Sequence, residues 1–362
     1  MNLIKKLSLL FIILIITHTS VFTQNTVCFT IETNPNSGQA FSGLTKYINV
    51  LDCFQVHAES SVPDSKVLHA AAIAAELLDN NEDGIVDDQL LKAELTSNGA
   101  LIPIFSQEGS SAENSFFNYY NGNGAAAVLY KNEMDPSLPG HWGDDATVEE
   151  ILHVINHVGH TNIYSTAFSL SPNSSLMTAA MDVARGGQFT SIPNPYPTSA
   201  WYHYNDATCD YQCMVIEYMY WSIVSLMGIL DDPSTCNGIA NEWELCSPTL
   251  FQATDTLMYN LITDPQYLLP QLAPDGNYCP NNTNINEASL NDIYLYPNPS
   301  NGIIQINSKN KINSIEVFNT LGMLIESNNP NSISYSLDLS YLPDGIYVII
   351  IDKVNSKKIS IN

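Results

Sequence analysis

Histidine and glutamate side chains recur at helical spacing between residues 149 and 160. Glu149, His153 and His157 follow one another at intervals of four residues, so on an α-helix they lie along one face. Two imidazoles one turn apart can hold one divalent metal ion, which is why zinc peptidases use the spacing H-x-x-x-H. The segment therefore predicts a site for zinc or another divalent transition metal, with His153 and His157 as ligands.

This segment departs from the H-E-x-x-H pattern of common zinc peptidases. Val154 follows the first histidine, at the position where that pattern places its general base. Glu149 or Glu150 precedes the histidine instead and would act as the catalytic base from the other side. Two alternatives stay open. Glu150 also fits a capping box with Thr147 as N-cap, and the histidines also fit a polar helix face that hydrogen-bonds neighbouring loops.

A third metal ligand is expected on a second helix. Glu217 is embedded in the apolar helix predicted at 210–230, and a buried carboxylate is costly unless it is paired or binds a metal. Ligation by His153, His157 and Glu217 would leave a position for water, which loses a proton near neutral pH and can attack a carbonyl. Alternatively, Glu217 pairs with Arg185 or hydrogen-bonds a tyrosine.

A second metal-binding pattern lies upstream of this helix. The sequence DNNEDGIVD at residues 79–87 matches the first nine positions of an EF-hand calcium loop, with Gly84 at the sharp turn. Position twelve is Leu90 instead of a bidentate glutamate, so Asp88 or water would replace it and the affinity for calcium should be modest. The alternative is an acidic turn between two helices that holds no ion. The expected ligands are Asp79, Asn81, Asp83, Asp87 and, through its backbone carbonyl, Ile85.

The apolar spacing around these motifs predicts a mainly α-helical domain with minor β-strands over residues 24–275. Gly159 is expected to end the histidine-bearing helix, and residues 106–145 are expected to be mostly loop. A short buried strand is predicted at residues 101–105. Helices are predicted near residues 66–78, 90–95, 147–158, 174–185, 210–230 and 250–262.

The seven cysteines favour disulfide bonds if the protein is exported. An odd number leaves at least one thiol free or paired outside the chain. Cys209 and Cys213 are four residues apart and could instead supply two zinc thiolates. Proximity in the sequence makes two disulfides plausible, Cys28–Cys53 and Cys236–Cys246.

The end of the chain carries three spaced motifs. They are YPNPSNG at residues 296–302, LPDGIYV at 342–348 and a terminal KKISIN. Period-two segments between them predict a small antiparallel β-sandwich over residues 292–362, after a polar linker at 276–291. The whole module resembles the type A C-terminal sorting domain of the type IX secretion system. The resemblance implies contact with that machinery, transport across the outer membrane, and then cleavage of the domain or anchoring at the surface.

The start of the chain agrees with export. In residues 1–23, Lys5 and Lys6 precede a short apolar run from Leu9 to Ile16, which is typical of a secretory signal peptide and too short to span a bilayer. A retained membrane anchor is the alternative. No integral membrane segment is expected in the mature chain, because no other stretch approaches ~18 apolar residues. We therefore expect a secreted or surface-anchored protein.

The charge is concentrated between these two ends. Residues 24–291 contain 31 acidic and five basic residues, a net charge of −26, which disfavours nucleic acid and anionic lipid as partners and attracts cations. The charge also fits a simple role in keeping the protein soluble. The sequence predicts a secreted calcium-binding protein with a metal-dependent, peptidase-like hydrolytic site, and no substrate is predicted. The alternative is a non-catalytic surface binding or adhesion module with structural calcium.

Overall fold

The computed structural model forms two units, the first ending at Pro280 and the second beginning at Asn281. The predicted signal peptide lies outside the described residues, as does the predicted linker from residue 281 onward. Within the described part, none of the helices combines the length and apolar character needed to cross a bilayer. The structure describes residues 28–280, 293–319, 323–343, 345–352 and 355–362.

The first unit contains a five-stranded sheet. Its strands are β1 (Glu32–Thr33), β2 (Leu44–Val50), β3 (Phe54–Glu59), β4 (Leu101–Phe105) and β5 (Leu129–Tyr130), in that spatial order. The first three strands pair antiparallel, whereas β3, β4 and β5 pair parallel. Parallel neighbours need a long crossover, and two helices occupy the one between β3 and β4. All five residues of β4 are buried, which confirms the strand predicted at 101–105.

Eleven α-helices appear in the described part of the first unit. Most of the predicted helices are present, but the one predicted at 250–262 is two helices that meet at Asp255. The prediction that residues 106–145 are mostly loop missed one helix, which Ser110 caps by accepting a hydrogen bond from the Glu113 amide. The helices are α1 (Asp64–Leu78), α2 (Gln89–Asn98), α3 (Ser111–Tyr119), α4 (Thr147–Ile155), α5 (Thr161–Ile163), α6 (Ser165–Phe168), α7 (Leu176–Ala184), α8 (Tyr211–Met227), α9 (Pro233–Ile239), α10 (Pro248–Thr254) and α11 (Thr256–Ile262).

The central helix α4 packs against both α1 and α8, and both of its ends differ from the prediction. Its N-cap is Ala146, and Thr147 Oγ1 instead donates a hydrogen bond to Asp145 Oδ1 at 2.6 Å, so the predicted capping box is wrong. The helix does not stop at Gly159. It continues through a π-helical turn at Asn156–His160 into α5. Gly159 therefore does not end the helix, and its missing side chain instead allows close packing against Leu91 of α2.

The disulfides correct part of the cysteine prediction. Cys236 pairs with Cys246 as expected, but Cys28 pairs with Cys279 and not with Cys53. Cys53 is a free, buried thiol. Cys209 and Cys213 are bonded to each other, which removes them as zinc thiolates. Because Cys279 is held in this way, residues 276–280 belong to the first unit, although they were expected in the linker.

The second unit consists of two antiparallel sheets that share one apolar core. The sheet orders are β10-β7-β6 and β12-β11-β8-β9, and alternate isoleucines such as Ile304, Ile306, Ile349 and Ile351 fill the space between them. This arrangement confirms the predicted β-sandwich. Its strands are β6 (Ile293–Tyr296), β7 (Ile303–Ile312), β8 (Ile315–Asn319), β9 (Leu324–Asn328), β10 (Ser332–Asp338), β11 (Gly345–Ile351) and β12 (Asn355–Ile361).

The glycine in the π turn should be sensitive to a single added methyl group. A Cβ at Gly159 would lie 2.3 Å from Leu91 Cδ1 in the core, whereas a Cβ at Gly38 would meet no atom within 4 Å. Overpacking typically costs about 1–3 kcal/mol, and alanine regains up to ~1 kcal/mol of helix propensity. We expect Gly159→Ala to lower the free energy of unfolding by about 1–2 kcal/mol in chemical denaturation. Equal stability of the Gly159→Ala and Gly38→Ala variants would contradict the tight contact.

Candidate metal centre

The packing of α4 against α8 brings three predicted residues together. Ile151 and Leu152 of α4 face the core, which leaves Glu149 and His153, one turn apart, to face Glu217 of α8. One ligand atom from each of these three side chains lies within 4.8 Å of the other two. Among the residues that the structure describes, no other group of three or more histidine, cysteine, aspartate or glutamate side chains lies within that distance.

His153 lies at the centre of the group and is 8% exposed. Its Nδ1 is 3.4 Å from Glu150 Oε2, and its Nε2 is 3.5 Å from Glu217 Oε2. Nε2 is buried, and no atom meets it with hydrogen-bond geometry. A buried nitrogen without a partner loses the hydrogen bonds that water would give it. One nitrogen of the imidazole is therefore held by Glu150, and the other lies beside the Glu217 carboxylate, as an ion pair without good hydrogen-bond geometry.

The crowded carboxylates shift the pKa values of their neighbours. Burial raises the pKa of Glu149 to about 8, and the negative charges of Glu150 and Glu217 add to this effect against the opposing charge of His153. Burial alone would lower the pKa of His153, but Glu217 and Glu150 outweigh it and hold that pKa well above its ordinary value. Tyr220 hydrogen-bonds Glu149. The group thus holds excess negative charge that protons partly neutralise.

A cavity of about 330 Å³ opens beside this group. His153, His157 and Glu217 all line it, so the three predicted transition-metal ligands share one cavity. His157 is nevertheless not part of the close group, and it lies within the π turn at Asn156–His160. Partial desolvation and the nearby charge of His153 lower the pKa of His157, which favours a neutral imidazole.

The alternative partner proposed for Glu217 is engaged elsewhere. Arg185 is buried, and its guanidinium donates to the Phe189 carbonyl at 2.6 Å and to the Tyr196 hydroxyl at 3.3 Å. Both aromatic rings also lie 5.6 Å from the guanidinium carbon. Within the described part of the chain, the salt-bridge partner of Glu217 is His153 alone. Glu217 therefore faces the candidate metal centre without a compensating arginine.

The predicted calcium loop connects α1 to α2. Asp79 is fully buried, and its carboxylate accepts hydrogen bonds from the Asp83 and Gly84 amides and from the Tyr278 hydroxyl. Gly84 has a φ of +91°, as the sharp turn of such a loop requires. Asn81 and Asp87 are joined by a hydrogen bond of 3.2 Å. The carboxylates of this loop are not part of a group within 4.8 Å, and calcium binding stays a prediction.

Asp88 has a different role from the one expected for it. Its Oδ1 accepts hydrogen bonds from the Leu90 and Leu91 amides and so caps α2, while its Oδ2 accepts a hydrogen bond from the Tyr164 hydroxyl. Aspartate is among the residues preferred at the N-cap of a helix. Asp88 is therefore not available to replace the glutamate that an EF-hand loop carries at position twelve.

Two contributors to the site were missed from the sequence. Tyr220 contacts Glu149, and Asp210 lines the cavity with Cys213. Asp210, Cys213, Glu217 and Tyr220 follow one another at intervals of three or four residues, which is the spacing of one helix face. That signal was present, but it could be recognised only once Glu217 was known to face His153.

The comparisons with known proteins concern the second unit. Residues 294–362 match the family model described as a secretion system C-terminal sorting domain. No curated protein matches the chain. The family match confirms the predicted sorting domain, which indicates export by type IX secretion, interaction with that machinery, and a secreted or cell-surface location. The match does not extend to the first unit, which carries the candidate metal centre.

A third histidine near the site does not join it. His160 is fully buried, its Nδ1 is 2.9 Å from Asn156 Oδ1, and its Nε2 has no hydrogen-bond partner. Burial lowers its pKa from 6.5 to about 4, although Asp88 opposes the shift. The folded state therefore keeps this imidazole neutral at a pH where the unfolded chain binds a proton.

This difference predicts a pH dependence of stability. The folded-state pKa of His160 is depressed. The neutral imidazole therefore contributes fully to the free energy of unfolding above pH 6.5, and this contribution is lost as the pH falls to about 4. The loss amounts to about 3.5 kcal/mol, at about 1.4 kcal/mol per pH unit. We expect His160→Gln to flatten the fall in unfolding free energy over this range in urea titrations. The half-buried His141→Gln is the control, and an unchanged pH slope in His160→Gln would contradict the assignment.

Proposed function

We propose that the first unit is a metal-dependent hydrolase that is exported by type IX secretion. The observation that carries this proposal is the close group of His153, Glu149 and Glu217 beside a cavity, in which the buried His153 Nε2 lies 3.5 Å from Glu217 Oε2 without forming a hydrogen bond of good geometry. A divalent cation between these groups would give the nitrogen a partner and relieve the repulsion between the carboxylates. Buried charges are usually paired or bound to metal for this reason.

The distances suggest a role for each residue. His153 Nε2, Glu217 and Glu149 are the proposed ligands, and Glu150 orients the imidazole through Nδ1. Metal-bound histidines usually donate their second N–H to such a carboxylate. The sequence had pointed to His157 as third ligand and to Glu149 or Glu150 as base. We favour Glu149 as the ligand because it belongs to the close group and His157 does not.

Hydrolysis is the chemistry that this arrangement suits. A divalent metal held by three side chains lowers the pKa of bound water and polarises a carbonyl group. His157 lines the cavity with a lowered pKa, so its neutral imidazole is suited to accept a proton from a nucleophile. Imidazole favours zinc, whereas carboxylates also suit manganese. The donor set therefore points to zinc or another divalent transition metal.

Elemental analysis of the purified full chain tests this proposal directly. We expect about one zinc or other divalent transition metal ion per wild-type chain, and at least a tenfold loss of metal affinity in Glu217→Gln, because the variant lacks an anionic ligand. His203→Gln lies outside the group and should keep its metal. Peptide hydrolysis should fall with the metal content.

A wild-type protein without a transition metal would contradict the proposal. If the wild type contains no stoichiometric transition metal, and dialysis against zinc or manganese loads none, the metalloenzyme proposal is wrong. A protein that is stable and exported without such a metal would instead favour a non-catalytic surface binding or adhesion module.

We also propose that the loop at residues 79–87 binds calcium with modest affinity. Its support is the buried Asp79 and the crowding of acids around it. Burial first, and neighbouring aspartates second, raise the pKa values of Glu82 and Asp87. A bound cation would reverse this effect. The glutamate at position twelve is absent, which places the expected affinity in the weak, extracellular class.

Calcium should therefore raise the stability of the protein. For a Kd of about 10⁻⁴–10⁻³ M, 10 mM calcium adds about 1.4–2.7 kcal/mol. We expect a higher melting temperature in calcium than in chelator, a smaller response to magnesium, and no calcium response in Asp83→Asn. Asp231→Asn, outside the loop, is the control. A wild type that melts identically with calcium and with chelator would show that the loop binds no ion.

A further inference from the structure

An apolar groove adjoins the cavity of the candidate metal centre. It has a volume of about 350 Å³ and is lined by Phe116, Phe117 and Tyr120 of the α3 segment and by residues 125–128. We call it the aromatic groove. Ala126 lines both the aromatic groove and the metal-centre cavity. The two spaces are therefore neighbours that share one wall residue.

The walls of the aromatic groove are held in place by contacts of their own. Phe116 stacks on Tyr120, with ring centroids 4.6 Å apart and an interplanar angle of 15°. The Tyr120 hydroxyl accepts a hydrogen bond from the Gly124 amide, which uses the polar end of that side chain. Phe105 packs behind Phe116. A groove whose walls are fixed in this way needs little reorganisation to bind a ligand.

Phe117 is the part of the groove that water contacts most. Its side chain is 61% exposed, although it packs beside Phe105 and Phe116. A ligand that covered this ring would remove a large apolar surface from water, which favours binding. Tyr119, on the same helix, is 55% exposed but does not line the groove. The helix thus offers a matched pair of exposed aromatic residues, one inside the groove and one outside.

The two neighbouring spaces have opposite character. Asp210, Glu217 and two histidines line the metal-centre cavity, whereas the aromatic groove presents apolar side chains. A single ligand that occupied both would need a polar, metal-binding group next to an apolar side chain. A peptide has this composition, since each backbone carbonyl is adjacent to a side chain. The net charge of −26 on residues 24–291 disfavours a nucleic acid or an anionic lipid in the same position.

We propose that the aromatic groove binds an apolar side chain of a peptide-like substrate whose neighbouring carbonyl lies at the candidate metal centre. This inference rests on the proposed hydrolase function and adds its substrate class. Phe117 covers the bound side chain, and Ala126 marks the passage from the groove to the metal-centre cavity. Peptides with leucine- or phenylalanine-like side chains next to the reacting carbonyl are the substrates that this arrangement selects.

Two hydroxamates that differ only by a benzyl group test the groove. N-acetylphenylalanine hydroxamate and N-acetylglycine hydroxamate are titrated calorimetrically into the zinc-loaded full chain. We expect the benzyl compound to bind at least about tenfold more tightly, as partial burial of a phenyl ring allows. Phe117→Ser should reduce this preference to less than about threefold, whereas Tyr119→Ser should keep it. Because both side chains are exposed, neither variant should lose its fold, which thermal melting verifies.

The outcomes separate the groove from the metal centre. Equal affinity for the two hydroxamates in the wild type, or a preference that Phe117→Ser leaves unchanged, overturns the groove while the metal centre stands. If the chain binds no metal and neither hydroxamate, the metal centre fails. Binding to the groove is then measured without a metal-binding group, by ligand-detected NMR with N-acetylphenylalaninamide and N-acetylglycinamide. A preference for the benzyl amide that Phe117→Ser abolishes supports the groove, and its absence overturns it.

Discussion

The carboxylates of Glu149, Glu150 and Glu217 crowd around the imidazole of His153 where α4 meets α8. Across the described residues, neither lysine nor arginine forms a salt bridge with these carboxylates, and His153 is the partner of both Glu150 and Glu217. Like charges in a buried place repel strongly, because the low local dielectric weakens screening. Burial and then the neighbouring carboxylates raise the pKa of Glu149, and the attraction of Glu217 and Glu150 raises the pKa of His153 against its burial. A protein that keeps this group must neutralise it with protons or with a cation.

The fold around the group gives each nearby histidine a different environment. His153 lies before the π turn and faces the carboxylates, His157 lies within it and reaches the cavity, and His160 ends it and is fully buried. A regular helix would have kept the first two on one line. The π turn also places Gly159 against α2, where a larger residue would meet Leu91. His157 and His160 thus lie in one π turn but in different environments, and π turns are frequent at functional sites.

Local sequence signals predicted much of this arrangement, and distant contacts explain the remainder. The spacing of Glu149 and His153 fixed their common face, and the isolation of Glu217 in an apolar helix indicated that it needed a partner. The π turn that contains His157 could not be predicted, because the packing of Gly159 against α2 is a tertiary contact. The bond between Cys28 and Cys279 joins residues 251 positions apart, and no local pattern specifies such a pairing.

The chemistry open to a metal in the first unit is limited by its cysteines. Six of the seven form disulfides, which agrees with an exported protein. Burial raises the pKa of the seventh, Cys53, to about 11, so that thiol stays protonated and is a poor ligand at neutral pH. Imidazole and carboxylate groups are left as the donors, and they favour borderline or hard divalent cations over soft ones. The disulfides that suit the protein to an oxidising compartment thus also remove six of the seven cysteines from the donors that the proposed metal could use.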